Sequence, residues 1–152
     1  MPRNDELLFL ETEGSCAYCG HKDRRDLTIH HIAESKPKNE DYDNKIVLCY
    51  NCHQRHHQRK EPTTDEINET KLRLIKKTLT TMGLNAMKYA HRRGAVAAPP
   101  FLVNHLVEYG YLVEGEMISS WALDVDSPIM VINSTYTITD EGKALLIKWK
   151  LN

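Results

Sequence analysis

The sequence predicts an α+β fold in two parts. A small strand–strand–helix unit spans residues 1–60, and a mostly helical domain that closes with two strands and a helix spans residues 61–152. Three observations predict it. Two Cys-x-x-Cys pairs, Cys16/Cys19 and Cys49/Cys52, use all four cysteines of the 152-residue chain and enclose a His-His doublet, His30-His31. The second pair runs directly into His53, His56 and His57. After the Glu61-Pro62 break the apolar residues follow a helical period, which gives way near Met117 to strand-like runs.

Before the first cysteine the only apolar stretch is Leu7-Leu-Phe-Leu10. It is too short for a signal-peptide core of about 7–15 residues. No apolar run approaches the roughly 20 residues of a membrane helix. The expectation is a cytoplasmic protein with no membrane partner. In a reducing compartment two Cys-x-x-Cys pairs read as zinc ligands rather than disulfides, and no βαβ context supports a redox motif. Four thiolates at about 2.3 Å from one Zn²⁺ form a closed tetrahedral site. Such a structural zinc would clamp a segment too small to fold on its apolar core alone. Leu27–Ile32 and Ile46–Leu48 read as strands, joined by a polar loop from Ala33 to Lys45. Cys52 to Lys60 lacks Gly and Pro and reads as a helix.

In the second part, Thr63-Thr-Asp-Glu66 has the form of a capping box, with Thr63 as N-cap and Glu66 reaching back. The helix it opens carries Ile67, Leu74, Ile75, Leu79 and Met82 on one stripe and is expected to end at Gly83. Leu84 to Arg93 reads as a second helix with Gly94 past its end. Pro99-Pro100 opens a third, Phe101 to Tyr109. Met117–Leu123 and Ile129–Ile138 read as strands around an Asp124–Pro128 turn, and Thr139 caps a last helix bearing Ala144, Leu145, Leu146 and Trp149. Three helices, a two-stranded wing and a closing helix resemble a winged helix-turn-helix over about residues 63–150. The string Tyr136-Thr-Ile-Thr-Asp-Glu-Gly-Lys-Ala-Leu-Leu146 carries that resemblance most closely.

Net charge is near zero, at −1, but its distribution is uneven. From Lys71 to Arg93 every charged residue is basic: Lys71, Arg73, Lys76, Lys77, Lys88, Arg92 and Arg93. From Gly94 to Gly142 every charged residue is acidic, including Glu108, Glu114, Glu116 and Asp124. Such polarity orients a protein on a polyanion. Lys76, Lys77, Arg92 and Arg93 are therefore the expected DNA contacts of the second domain, with the acidic wing turned away or toward a partner.

The histidines carry the chemistry. His53 and His57, four apart on a helix, share a face and can chelate one metal; His56, three from His53, is the competing choice. Neighbouring strand residues point opposite ways, so one of His30 and His31 can face a metal while the other faces a substrate. Three imidazoles leave a metal position open for water, which suits hydrolysis. An unmetallated imidazole suits a general base near neutral pH.

The order Cys-x-x-Cys, Leu27-Thr-Ile-His-His-Ile32, Asp43-Asn44-Lys-Ile-Val-Leu-Cys49 and Cys49-x-x-Cys52-His53 resembles the HNH endonucleases, the ββα-metal or His-Me finger family, over roughly residues 14–60. The resemblance implies a metal-dependent DNA endonuclease that hydrolyses phosphodiester bonds with one divalent ion, Mg²⁺, Mn²⁺, Ni²⁺ or Zn²⁺. It implies His30, His53 and His57 as ligands of that ion, His31 as general base, and Asn44 as the residue that holds loop and base in place. Cys16, Cys19, Cys49 and Cys52 would hold the structural zinc. Arg55 on the helix is the expected phosphate contact, with Arg24, Arg25 and Lys36 behind it. DNA is the implied partner, and a homodimer is the assembly that zinc-clamped relatives commonly use. Two other readings compete: a branched-DNA resolvase on the same module, and a non-catalytic zinc and winged-helix DNA-binding regulator.

Overall fold

The structure is a computed structural model that describes residues 4–122 and 124–152. The chain divides between Thr78 and Leu79 into two compact units. This boundary lies beyond the Glu61-Pro62 break that the sequence offers, because the helix after the break completes the core of the first unit. That first unit contains α1 (Asn4–Glu11), β1 (Leu27–His31), β2 (Lys45–Cys49), α2 (Tyr50–His57) and α3 (Thr64–Leu79), except for the last residue of α3.

Strands β1 and β2 pair antiparallel, with Leu27 opposite Cys49, His30 opposite Ile46 and His31 opposite Lys45. All of β2 is buried, as its apolar Ile46-Val-Leu48 run requires. Helix α2 follows β2 without a loop. It starts at Tyr50, two residues earlier than expected, because the Cys49 sulfur caps it by accepting from the Cys52 N–H at 3.4 Å. Ile46, Leu48, Cys16, Cys49 and Cys52 form one core with Ile67 of α3. The capping box forms at the start of α3: Thr63 N–H donates to Glu66 Oε2 at 2.7 Å, and Glu66 N–H donates to Thr63 Oγ1 at 3.3 Å.

Helix α1 was not expected from the sequence. It buries Leu7 and Leu8 and places Glu11 in the interior. Lys71 of α3 donates to Glu11 Oε1 at 2.7 Å, with neither side chain exposed, and Tyr42 O–H also donates to Glu11. The Lys71 ammonium lies 3.7 Å from the centre of the Tyr42 ring. Lys71 is therefore internal and is removed from the basic face expected between Lys71 and Arg93. Lys77 is exposed and paired with Glu13; Lys76 is exposed.

The second unit runs α4 (Thr81–Arg93), β3 (Val96–Ala98), α5 (Pro100–Glu108), β4 (Leu112–Trp121), β5 (Met130–Ile138) and α6 (Asp140–Lys148). A single three-stranded sheet has the order β3-β5-β4. The short strand β3, which the sequence reading did not anticipate, lies between α4 and α5 and adds a third strand to the β4–β5 hairpin. Strand β4 begins at Leu112, before the expected Met117; Leu123, the expected end of that strand, lies outside the described residues. The β4–β5 hairpin leaves Met117, Ile118, Trp121, Ile129 and Met130 exposed.

Gly83 does not end a helix. The break falls at Thr80, whose φ is +61°, and Thr80 Oγ1 caps α4 by accepting from Gly83 N–H at 3.1 Å. Gly83 is buried inside α4 where α5 passes closely. A Cβ there would stand 3.0 Å from His105 Nε2 and 3.1 Å from Leu106 Cδ1. Gly94 does close α4, at φ +90°, with its N–H on the Ala90 carbonyl at 2.8 Å. Thr139 caps α6 through Gly142 N–H at 3.0 Å.

Candidate metal centre

Among the described residues, two clusters of metal-type ligands form in the first unit. The Sγ atoms of Cys16, Cys19, Cys49 and Cys52 all lie within 4.8 Å of one another. Four sulfurs about 2.3 Å from one zinc ion stand about 3.8 Å apart. The Cys19–Cys49 separation is 3.6 Å, so the donor set fits a tetrahedral ion. The backbone prepares it: Gly20 N–H bonds the Cys16 carbonyl at 2.9 Å, and Ala17 N–H bonds Val47 of β2 at 2.9 Å. These bonds set the first cysteine turn against the end of β2, where the second pair begins.

The second cluster is imidazole. One ligand atom each from His30, His53 and His57 lies within 4.8 Å of the others, and His53 Nε2 is 3.0 Å from His57 Nε2. Nitrogens sharing a zinc ion at about 2.0–2.1 Å stand about 3.3–3.4 Å apart, so this set also fits a divalent cation. His30 is buried on β1, with its ring centre 5.1 Å from that of His53 and 5.7 Å from that of His57. Burial, then the adjacent imidazoles, hold His30 down at about 4. Burial and the other helix histidines lower His53 as well. Both rings are thus neutral at neutral pH, the state in which imidazole binds metal.

His56, the competing choice, is tied elsewhere. Its Nδ1 donates to the Pro62 carbonyl at 2.7 Å, although its ring lies 4.9 Å from that of His30. His105 donates from Nε2 to the Leu79 carbonyl at 3.0 Å and belongs to helix packing. His21 pairs with Asp26 at 2.9 Å.

An open cleft of about 710 Å³ is lined by Ile29, His30, His31, His53, His57 and the loop residues Ala33 to Lys38. Its basic lining is Lys36 and Lys38. Arg55 is exposed on α2 but is not among the lining residues, and Arg25 is engaged by Asp23 at 2.7 Å. Asn44 is buried and makes three backbone bonds. Its Oδ1 accepts from Ala33 N–H at 3.0 Å, and its Nδ2 donates to the Ala33 carbonyl at 3.1 Å and the Asn39 carbonyl at 3.0 Å. The side chain thus grips both ends of the loop that walls the cleft.

The sequence reading missed three participants. His31 Nε2 lies 3.0 Å from Glu40 Oε1. Glu40 Oε2 lies 3.4 Å from Lys45 Nζ, which also reaches Asp5 Oδ1 at 2.8 Å. No spacing rule joins these positions; only the register that sets His31 opposite Lys45 could have hinted at them.

A family model described as HNH endonuclease matches residues 16–59. No curated protein and no solved structure matches the chain. The matched stretch includes both ligand clusters, Asn44 and the whole cleft-forming loop. The match suggests a nuclease domain over this stretch, and the four cysteines are placed so that they could hold a metal such as zinc. No helix among the described residues is long and apolar enough to cross a membrane.

Proposed function

We propose that this chain is a metal-dependent DNA endonuclease whose reaction takes place in the cleft between β1 and α2. One observation carries the reading: three imidazoles converge on one point while a fourth, His31, lines the same open cleft outside that set. His30, His53 and His57 would hold one divalent ion. When bound, that ion supplies Lewis-acid stabilisation of phosphodiester negative charge. His31 takes the proton from the attacking water. Asn44 fixes the loop that carries the cleft wall, and Lys36 and Lys38 attract the DNA backbone on that wall. The cysteines hold a structural zinc at the base of the hairpin.

The second unit serves as a recognition or interaction module in this reading, akin to a winged helix in its hairpin and closing helix. Exposed Arg92 and Arg93 on α4 are its DNA contacts, and Arg55, Lys76 and Lys77 add to the first unit's. The β4–β5 hairpin is acidic and apolar and is unsuited to phosphate.

A plasmid-nicking assay with Mg²⁺, Mn²⁺, Ni²⁺ and Zn²⁺ tests the proposal. Wild type is expected to nick, and His31→Ala to lose about 10²–10⁴-fold in rate with metal binding retained. Absence of wild-type cleavage on supercoiled, nicked, linear and four-way DNA would overturn it in favour of a non-catalytic DNA-binding role.

A further inference from the structure

The His31 ring has a partner that the nuclease reading does not use. Glu40 sits in the loop between the strands, and its Oε1 is 3.0 Å from His31 Nε2. Its position is fixed from two sides. On the chain side, Asn44 Nδ2 holds the carbonyl of Asn39, the preceding residue, at 3.0 Å. On the side-chain side, the buried Lys45 reaches Glu40 Oε2 at 3.4 Å while Asp5 anchors its ammonium at 2.8 Å. Lys45 is the cross-strand neighbour of His31, so the two partners of Glu40 leave the sheet at one level.

A neutral imidazole has one nitrogen that donates and one that accepts, and a carboxylate only accepts. The hydrogen bond from His31 holds the Glu40 carboxyl below the usual carboxylate range against the opposing effect of desolvation, and Lys45 adds to the lowering. The contact therefore requires the proton on Nε2, which leaves the lone pair on Nδ1. We propose that Glu40 is a positioning residue for His31: by accepting from Nε2 it fixes the ring and its tautomer so that Nδ1 is the atom that receives the proton of the attacking water. As Nδ1 is protonated the ring becomes an imidazolium, and the carboxylate already in place stabilises its charge. The catalytic meaning rests on the nuclease reading above; the tautomer does not.

Two measurements on the full-length, zinc-loaded protein test this. Long-range ¹H–¹⁵N spectra of the imidazoles are expected to show His31 with its proton on Nε2 in wild type and in Glu40→Gln, whose amide oxygen still accepts. In Glu40→Ala they are expected to show a mixture of tautomers. In nicking assays Glu40→Ala is expected to lose about 10–100-fold in kcat, with KM for DNA nearly unchanged and Glu40→Gln recovering part of the loss. A wild-type His31 protonated on Nδ1 overturns the proposal. So does a Glu40→Ala protein with wild-type kcat. A Glu40→Gln protein as impaired as Glu40→Ala, with the same tautomer mixture, overturns it too. If wild type cuts no DNA, the nuclease reading fails, and the spectra alone decide the Glu40 contact.

Discussion

At His30, burial and four neighbouring imidazoles act in one direction, against the charged form. In the metal-free protein this has a defined sign. An unfolded histidine takes up a proton near 6.5, while the folded His30 refuses it until about 4. The folded state is therefore fully favoured above the unfolded pKa. It loses stability as pH falls from about 6.5 toward 4, at up to about 1.4 kcal/mol per pH unit. Urea midpoints measured across that window in excess chelator should fall more steeply for wild type than for His30→Leu; parallel slopes would exclude the effect. The helical spacing of His53 and His57 and the His30-His31 doublet were visible in the sequence, but which of the doublet joins the helix pair, and that His56 does not, was implied only by the resemblance to the HNH endonucleases. Glu40 was not legible. Its approach to His31 depends on the path of the Ala33–Asn39 loop, which Asn44 dictates through backbone bonds that no side-chain pattern records.

At the scale of elements, the tie between α1 and α3 is a buried ion pair with an aromatic lid. Lys71→Met leaves the Glu11 carboxyl buried without its cation and is expected to cost about 3–5 kcal/mol. The double variant Glu11→Gln/Lys71→Met should recover much of that, since no charge is then left inside. Equilibrium denaturation of both proteins checks it, and a single variant as stable as wild type would contradict the buried pair. Gly83 makes a second case. Ala in a helix interior ordinarily gains about 1 kcal/mol over Gly. At Gly83 the new methyl would press on His105 and Leu106, and such overpacking costs about 1–3 kcal/mol. Gly83→Ala is therefore expected not to stabilise the protein, and a raised urea midpoint would refute the close α4–α5 approach. The caps at Thr63, Gly94 and Thr139 were readable because they are local. Gly83 misled because a glycine demanded by a neighbouring helix looks, in one dimension, the same as a glycine that ends one. Helix α1 escaped notice because its Leu7–Leu10 run is apolar throughout and shows no period.

Over the whole molecule, the two units have different sources of stability. The first gathers both metal-type clusters and a core in which three of the six members are cysteines. The second holds its sheet on apolar and capped elements without a cysteine. Removing metal with a strong chelator should lower the melting transition of the first unit and leave that of the second in place. Calorimetry with and without chelator resolves this, and a single transition unmoved by chelation would rule out a structural metal. A change in periodicity after Glu61-Pro62 is visible in the sequence, whereas the division between Thr78 and Leu79 has no local signal there. Whether α3 belongs to one unit or the other is decided by Ile67 and Lys71 finding partners far away in the chain, beyond the reach of any local break signal.

Helix α2 is only eight residues long, and Cys52 of the sulfur cluster stands beside His53 of the imidazole cluster on it. A helix of two turns does not hold its shape in water unaided. The bite between His53 and His57 is therefore expected to depend in part on whether the sulfur end of the helix is secured. If both clusters take up a cation, the two binding equilibria are linked, and each raises the other by the same factor. Oxidation of a single thiol is therefore expected to reach the imidazoles as a weaker hold on any cation placed there, which under the nuclease proposal would tie cleavage to the thiol redox poise around the protein.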